Sequence, residues 1–331
     1  MKKITLFAAT VALLCCFSSC TKEGVYSPKK KISAVYYSAS EKVSYLSPET
    51  QEWITEVDNS ITKRLQEKWN WDGKTLQSIV YYEPMYDEND NVTTVPVDTV
   101  KFKYDGNQLT EITGDGNSRY EFVYDGRKLK EINMYSRGRL ANTMIVAHDG
   151  NKITKLIFPN ANGYDKKSPK EMRCDLTLFR LLVTDMDVAD NIYQTISKAS
   201  KSKDANEEAV LEFKYDGDNI SQYTISISGV MAIKSMYEYD NKNNPYCDFF
   251  GYIFLDGGEE SLAGPFCENN VTKVTTTYYG DNYKDNADER TFSYEYRYTY
   301  DGKWPLTKTQ SINGEEDDYR YDYSNTLHFE Y

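Results

Sequence analysis

The stretch Phe102-Lys103-Tyr104-Asp105-Gly106-Asn107-Gln108-Leu109-Thr110-Glu111-Ile112 decides the fold. Two aromatic residues alternate with lysines up to an Asp-Gly pair, and an aliphatic residue follows four positions after the Asp. Asp-Gly supplies the positive-φ residues that a two-residue type I′ turn needs, so the segment reads as two antiparallel strands joined by the shortest loop. The spacing recurs at Asp72-Gly73, Asp125-Gly126, Asp149-Gly150 and Asp216-Gly217. Their flanking triples are Trp69/Trp71/Leu76, Phe122/Tyr124/Leu129, Val146/His148/Ile153 and Phe213/Tyr215/Ile220. Degenerate copies stand at Asp240, Asp301-Gly302 and Asp322. With Asp-Gly as the loop, Phe102 should pair with Leu109, Trp69 with Leu76 and Phe213 with Ile220. Such pairs contribute roughly 0.2–1 kcal/mol each, enough to fix register rather than to supply the bulk of stability. A further aliphatic seven after the Asp (Ile79, Ile112, Ile132, Leu156) breaks the alternation. It fits either a bulge or a strand buried on both faces.

Composition agrees with extended sheet: 30 Tyr, 13 Phe and 4 Trp against only 9 Pro favour pleated, half-buried surfaces. In Phe292–Tyr300 the aromatic residues Phe292, Tyr294, Tyr296, Tyr298 and Tyr300 share one face, and Ser293, Glu295, Arg297 and Thr299 the other. Strands are expected near 31–38, 42–46, 52–57, 63–71 and 75–83, then in hairpins to 158 and again from 208 to the end. Ser47-Pro48-Glu49-Thr50 could cap a helix, but Arg64–Trp71 runs into an Asp-Gly turn, which favours a hairpin turn there.

One stretch departs from this pattern. Ser168-Pro169-Lys170-Glu171 combines an N-cap, a first-turn proline and a capping-box Glu, and Met172, Leu176, Phe179 and Val183 follow on one helical face. Val188, Ile192, Ile196 and Ala199 form a second stripe. The expected fold is therefore mainly β: an antiparallel up-and-down meander of Tyr-Asp-Gly hairpins in a curved or partly closed, barrel-like sheet, with a two-helix insertion near 169–200.

The first 19 residues read as a signal peptide, with Lys2-Lys3 before a short apolar run, and Phe17-Ser18-Ser19-Cys20 matches a lipobox. Cleavage before Cys20 and acylation of that residue would anchor the protein to the outer membrane, on its periplasmic or its outer face. Residues 20–30, polar and running into the lysines Lys29-Lys30-Lys31, are expected to be a flexible tether, with a single β-rich domain over 31–331. Removing residues 1–19 takes away Lys2 and Lys3 and no acid, so the net charge moves from −12 to −14, which disfavours a nucleic-acid partner. Beyond the lipobox, Cys174, Cys247 and Cys267 remain. Cys247–Cys267 is the favoured bridge in an oxidising compartment, with three unpaired thiols as the alternative.

The aromatic-x-Tyr-Asp-Gly-x-x-Leu-x-x-Ile units resemble the YD-repeat elements of large bacterial shell proteins. With the lipobox and the mid-chain helices, they are similar to a Bacteroidetes lipoprotein family described as having a porin-like β-barrel fold. That resemblance implies a barrel-like scaffold at the cell envelope and brings no catalytic residues with it. Asn244 and Pro305, which replace the aliphatic residue after Asp240 and Asp301, count against regular closure.

The chain contains two histidines, His148 and His328, and His148 occupies the aromatic position of a hairpin. No His-Glu-x-x-His, Gly-x-Ser-x-Gly, phosphate-cradling loop or Cys-x-x-Cys occurs, and no cofactor is expected. Asp87, Asn89, Asn91 and Asp98 match positions of a calcium loop, yet Val92 stands where its glycine should be. Trp304, Trp71, Trp69 and Trp53 are candidate stacking platforms for a glycan, with core packing as the competing use. The expected role is binding or scaffolding at the envelope, non-catalytic, with a glycan or another envelope protein as partner. The alternatives are a glycan-processing enzyme and an integral outer-membrane barrel.

Overall fold

Every intact Asp-Gly copy forms a hairpin, and the hairpins run in sequence around a ring. The computed structural model describes residues 24–86, 92–114, 118–159, 208–227, 229–255, 263–279, 290–316 and 318–331. The strands are β1 (Ala34–Leu46), β2 (Trp53–Asp72), β3 (Thr75–Tyr86), β4 (Val92–Asp105), β5 (Gln108–Thr113), β6 (Ser118–Asp125), β7 (Lys128–Ser136) and β8 (Arg139–Asp149). They continue as β9 (Lys152–Phe158), β10 (Ala209–Asp216), β11 (Asn219–Ile227), β12 (Val230–Asn243), β13 (Asn269–Tyr278), β14 (Arg290–Asp301), β15 (Trp304–Glu316) and β16 (Tyr319–Glu330). Each pairs antiparallel with its neighbours in the chain, and β1 also pairs with β16, from Ala34 opposite Glu330 to Tyr45 opposite Tyr319.

That seam corrects the expectation of a curved or partly closed sheet: the barrel is closed, and closure leaves no edge strand with unpaired backbone groups. The two helices expected over 169–200 lie outside the described residues. Among those residues no α-helix occurs, only the short 3-10 turns Phe250–Phe254 and Gly264–Phe266. The segments expected as 31–38 and 42–46 are one strand, as are 52–57 and 63–71. Residues 47–52 turn between them and form no helix.

The hairpin register also differs by two residues from the expected one. Asp105 pairs with Gln108 and Tyr104 with Leu109, so the loop is Gly106-Asn107. Gly106 has φ +60° and Asn107 is not in the positive region, the type II′ pattern with glycine at the first central position rather than type I′. Thr110 is then an extra residue, after which Lys103 pairs with Glu111 and Phe102 with Ile112. The same bulge, five after the Asp, occurs at Gln77, Lys130, Thr154, Ser221 and Leu306. It decides between the two readings of the broken alternation, because it brings both the fourth and the seventh residue after the Asp to the inner face. Where the bulged residue has a hydroxyl, that group donates to a carbonyl across the hairpin: Thr110 to Lys103 (3.2 Å), Ser221 to Lys214 (3.2 Å) and Thr154 to Ala147 (3.4 Å).

The tyrosine of the motif has a bonding role as well. Tyr215 donates to the Ile153 carbonyl (2.8 Å) and Tyr239 to that of Ile220 (2.6 Å), and Tyr331, which belongs to no Asp copy, donates likewise to that of Pro305 (2.9 Å), each in the preceding hairpin at the position four after its Asp. These bonds tie successive hairpins together at the Asp-Gly end. Pro305 fills the aliphatic position opposite Tyr300, so it does not disturb closure.

Asn244 marks a real departure. After β12 the chain leaves the wall, and residues 244–255 and 263–268 turn into the barrel at the Asp-Gly end in place of a tight turn. Phe249 is fully buried, with its ring centroid 5.6 Å from those of Trp69 and Phe102. Phe254 packs on Tyr120 (4.3 Å) and Phe266 on Phe213 (5.1 Å). Gly251 lies so close to the wall that a Cβ would sit 2.8 Å from Ile112 Cδ1.

The N-terminal segment completes this plug. Tyr26, expected within a free tether, is buried, stacks on Phe249 at 4.4 Å and donates to the Pro245 carbonyl (2.7 Å). Gly24 accepts from Leu109 N (2.9 Å), and Trp71 Nε1 donates to the Ile32 carbonyl (2.7 Å).

The outer face is wet. Lys103 pairs with Glu111, Arg119 bridges Glu111 and Glu121, Lys155 meets Glu212 (3.3 Å) and Lys273 meets Glu295 (3.6 Å). Hydroxyl pairs Thr277–Thr291 (3.0 Å), Thr299–Thr307 (2.6 Å), Thr309–Thr326 (2.9 Å) and Ser40–Ser324 (2.9 Å) run along β13–β16 and β1. Exposed pairs of this kind contribute roughly 0–1 kcal/mol each and mark a solvated surface more than they stabilise it.

Candidate functional site

Between the plug and the β13–β16 wall lies a narrow cleft of about 40 Å³ that opens to solvent. Asn244, Tyr246, Tyr252, Asn270, Tyr298 and Lys308 are among its lining residues. The plug side is held rigid by its own hydrogen bonds. Asn244 Nδ2 donates to the carbonyls of Gly264 (2.7 Å) and Cys267 (2.9 Å), while its Oδ1 accepts from Tyr246 N (2.9 Å). Tyr246 and Tyr252 stack at 4.0 Å with 17° between planes, which presents a flat aromatic surface.

On the wall side, Asp240 organises the neighbourhood. Its carboxylate accepts from Tyr300 Oη, Asn270 Nδ2 (3.0 Å), Asn270 N (3.1 Å) and Lys242 N (2.9 Å). Tyr298 donates to the Val271 carbonyl (2.8 Å), and burial, with Asp240 and Tyr300 adding to it, raises its pKa well above the ordinary phenol range, so it remains a proton donor. Lys308 projects inward opposite Tyr298, with Nζ 4.6 Å from the Tyr296 ring centre.

Pairing carries this inner face on around the wall. Lys308 faces Leu327, Leu327 faces Tyr37, and Tyr37 faces Arg64, whose guanidinium lies 5.3 Å from the Tyr37 ring centre. One rung further, Tyr296 faces Gln310 and Gln310 faces Asn325, with a 3.2 Å amide contact between the last two. Tyr37 Oη lies 3.2 Å from Tyr323 Oη, and burial together with that bond pushes the Tyr37 pKa up to about 12. The wall therefore offers rings, amides, phenols and two cations.

The candidates from sequence do not assemble into one site. Trp69 is core, Trp71 is half-buried behind the N-terminal segment, and Trp304 packs edge-on against Tyr331 (6.2 Å) at the Asp-Gly end. Trp53 sits near the opposite end with the Arg320 guanidinium 4.0 Å over its ring. Cys247 and Cys267 are separate thiols: Cys267 Sγ accepts from Ile220 N (3.3 Å) and lies 3.2 Å from Tyr239 Oη. Burial pushes Cys247 up to about 12 and Cys267 up to about 11. Cys20, Cys174, Asp87, Asn89 and Asn91 lie outside the described residues. Asp98 is in β4, where its carboxylate accepts from Thr99 N (2.6 Å), and among the described residues no group of metal-binding side chains occurs. His148 pairs with Ile153 as Tyr104 does with Leu109, in the aromatic slot expected for it.

Sequence reading missed Tyr246, Tyr252, Tyr298 and Lys308 as a group. The bulge at Leu306 inverts the parity of β15, so strict alternation would turn Lys308 outward.

No protein-family profile and no curated protein matches the chain. The solved structures that resemble it include two porin-like proteins. One is a porin-like protein from Bacteroides uniformis ATCC 8492, with TM-score 0.47, 11% identity and 92% of this chain and 98% of that chain covered. The other is a porin-like protein from Bacteroides vulgatus ATCC 8482, with TM-score 0.25, 10% identity and coverage of 88% and 97%. Nothing about ligand or activity follows from either likeness.

Proposed function

We propose that this is a cell-envelope lipoprotein, acylated at Cys20, whose water-exposed barrel binds an oligosaccharide along its inner wall, across the mouth of the cleft, without transforming it. The observation that carries the proposal is the division of faces. Ion pairs and hydroxyl pairs lie outside, whereas stacked tyrosines, amides and Lys308 line the interior cleft. A membrane-spanning barrel needs an apolar outer band about 25 Å tall, and Lys or Arg at its midplane costs roughly 2–4 kcal/mol each. No such band encircles the described strands.

Flat rings stack on the apolar faces of sugars, and amide and ammonium groups satisfy their hydroxyls. No carboxylate is among the residues lining the cleft. Glycoside hydrolysis needs two, roughly 5–9.5 Å apart, so binding is favoured over turnover.

The test is a glycan array probed, without detergent, with the chain lacking its first 20 residues, beside its Lys308→Ala and Tyr252→Ala forms. The expected result is a dispersed protein that captures a subset of glycans and loses at least about tenfold in affinity on either substitution, a loss of about 1.4 kcal/mol. Aggregation unless detergent is present would refute the water-exposed barrel. Capture unchanged by both substitutions would refute the cleft.

A further inference from the structure

We infer that the Asp-Gly end of the barrel, carrying the turns and the N-terminal segment, is a membrane-facing surface that rests against the lipid headgroups. The inference depends on the acylation of Cys20 proposed above and goes beyond it, because it fixes which end of the molecule meets the bilayer.

Three observations carry it. The chain is tied to the plug from Gly24 onward: Gly24 accepts from Leu109 N, Tyr26 is buried on Phe249, and Trp71 holds the Ile32 carbonyl. Three residues separate Cys20 from Gly24, and the four Cα–Cα steps at 3.3–3.6 Å each span at most about 14 Å. Both described ends of the chain and the turns Gly73, Gly106, Gly126, Gly150, Gly217 and Gly302 all lie at this one end, as the pairing of Ala34 with Glu330 and the order of the hairpins require.

Acyl chains on Cys20 therefore cannot reach a bilayer unless this end lies close to it. The opposite end is separated by the wall: β1, 13 residues long, runs about 43 Å at 3.3 Å per residue, or roughly 30 Å of height at the tilt of a closed barrel.

The surface suits the role. Exposed cations at the turns, Lys74, Arg127 and Lys303, alternate with the turn aspartates, and Lys30 is paired with Asp301 (2.8 Å). Neither sign dominates, so the acyl chains supply the attachment and the rim only needs to be tolerated by zwitterionic headgroups. In this pose Trp53, near the other end, faces away from the membrane.

The test uses the full chain made in a host with an outer membrane and reconstituted in vesicles of phosphatidylethanolamine and phosphatidylglycerol. Incorporation of an alkyne-bearing fatty acid, lost in Cys20→Ala, reads acylation. Orientation is read with a maleimide dye at Arg127→Cys or at Glu49→Cys, which lies in the β1–β2 turn, both in a Cys174→Ser background labelled in parallel as the blank. A nitroxide on the lipid headgroups should quench the Arg127→Cys dye several-fold more than the Glu49→Cys dye. Incorporation with equal or reversed quenching would overturn the orientation and leave acylation standing. No incorporation into the unsubstituted chain would remove both.

Discussion

Phe249→Ala probes whether plug and wall form one cooperative core. The ring is fully buried and meets Tyr26 at 4.4 Å, Trp69 and Phe102 at 5.6 Å, and Tyr252 at 6.2 Å. Truncating a buried Phe costs about 3–5 kcal/mol, because the transfer free energy is lost and the cavity refills only in part. A value near the upper end is expected here, since the surrounding rings belong to four separate segments and cannot collapse together. The Tyr26 stack alone should account for about 0.5–1.5 kcal/mol of it. The assay is urea unfolding followed by tryptophan fluorescence for Phe249→Ala, Tyr26→Ala and the double variant. Coupling of at least about 0.5 kcal/mol between the two positions is expected for residues in contact. A loss under about 1 kcal/mol for Phe249→Ala, or additive effects in the double variant, would refute the single core and show a plug that detaches while the wall remains folded.

Two further outcomes follow from the turns and the outer face. Gly106→Ala and Gly114→Ala both place a Cβ in open space, but only Gly106 has a positive φ, so the first should lower stability by about 1–2 kcal/mol and the second by much less, as read by thermal unfolding. Glu111 is pushed up by burial, but Lys103 and Arg119 outweigh this and hold its pKa below the usual carboxylate value. A depressed folded pKa gives stability that is complete above about pH 4.3, the unfolded value, and lost as pH falls through the folded one. Glu111→Gln should therefore lose less stability than the unsubstituted chain between pH 6 and pH 3 in urea melts, and an equal loss would remove Glu111 from the acid response.

Much of the wall was legible because its signal is local. Gly106 and its counterparts must reach positive φ, and a tight turn forces the flanking strands to pair. Register was less legible: the bulge at Thr110 depends on how Phe102 and Ile112 share the interior, which turn chemistry alone does not dictate. Closure was hidden for a similar reason, since pairing of Ala34 with Glu330 joins residues at opposite ends of the described chain and leaves no pattern in either. The plug was least legible. Phe249-Phe250 and Ile253-Phe254 have the spacing of one helical face, but the run is too short to indicate more than the single 3-10 turn it forms, and only the arrival of Asn244 where Leu or Ile belongs marked the break. The cleft inherits both difficulties, because one side of it is plug and the other is a strand whose parity the bulge at Leu306 reverses.

The plug interrupts the ring of turns between β12 and β13, so both its ends are stitched into the wall, and its middle is pinned by Tyr26. To swing aside, such a stopper would have to give up the Tyr26 stack on Phe249 and the Tyr26 bond to the Pro245 carbonyl, so its described part is built to stay in place.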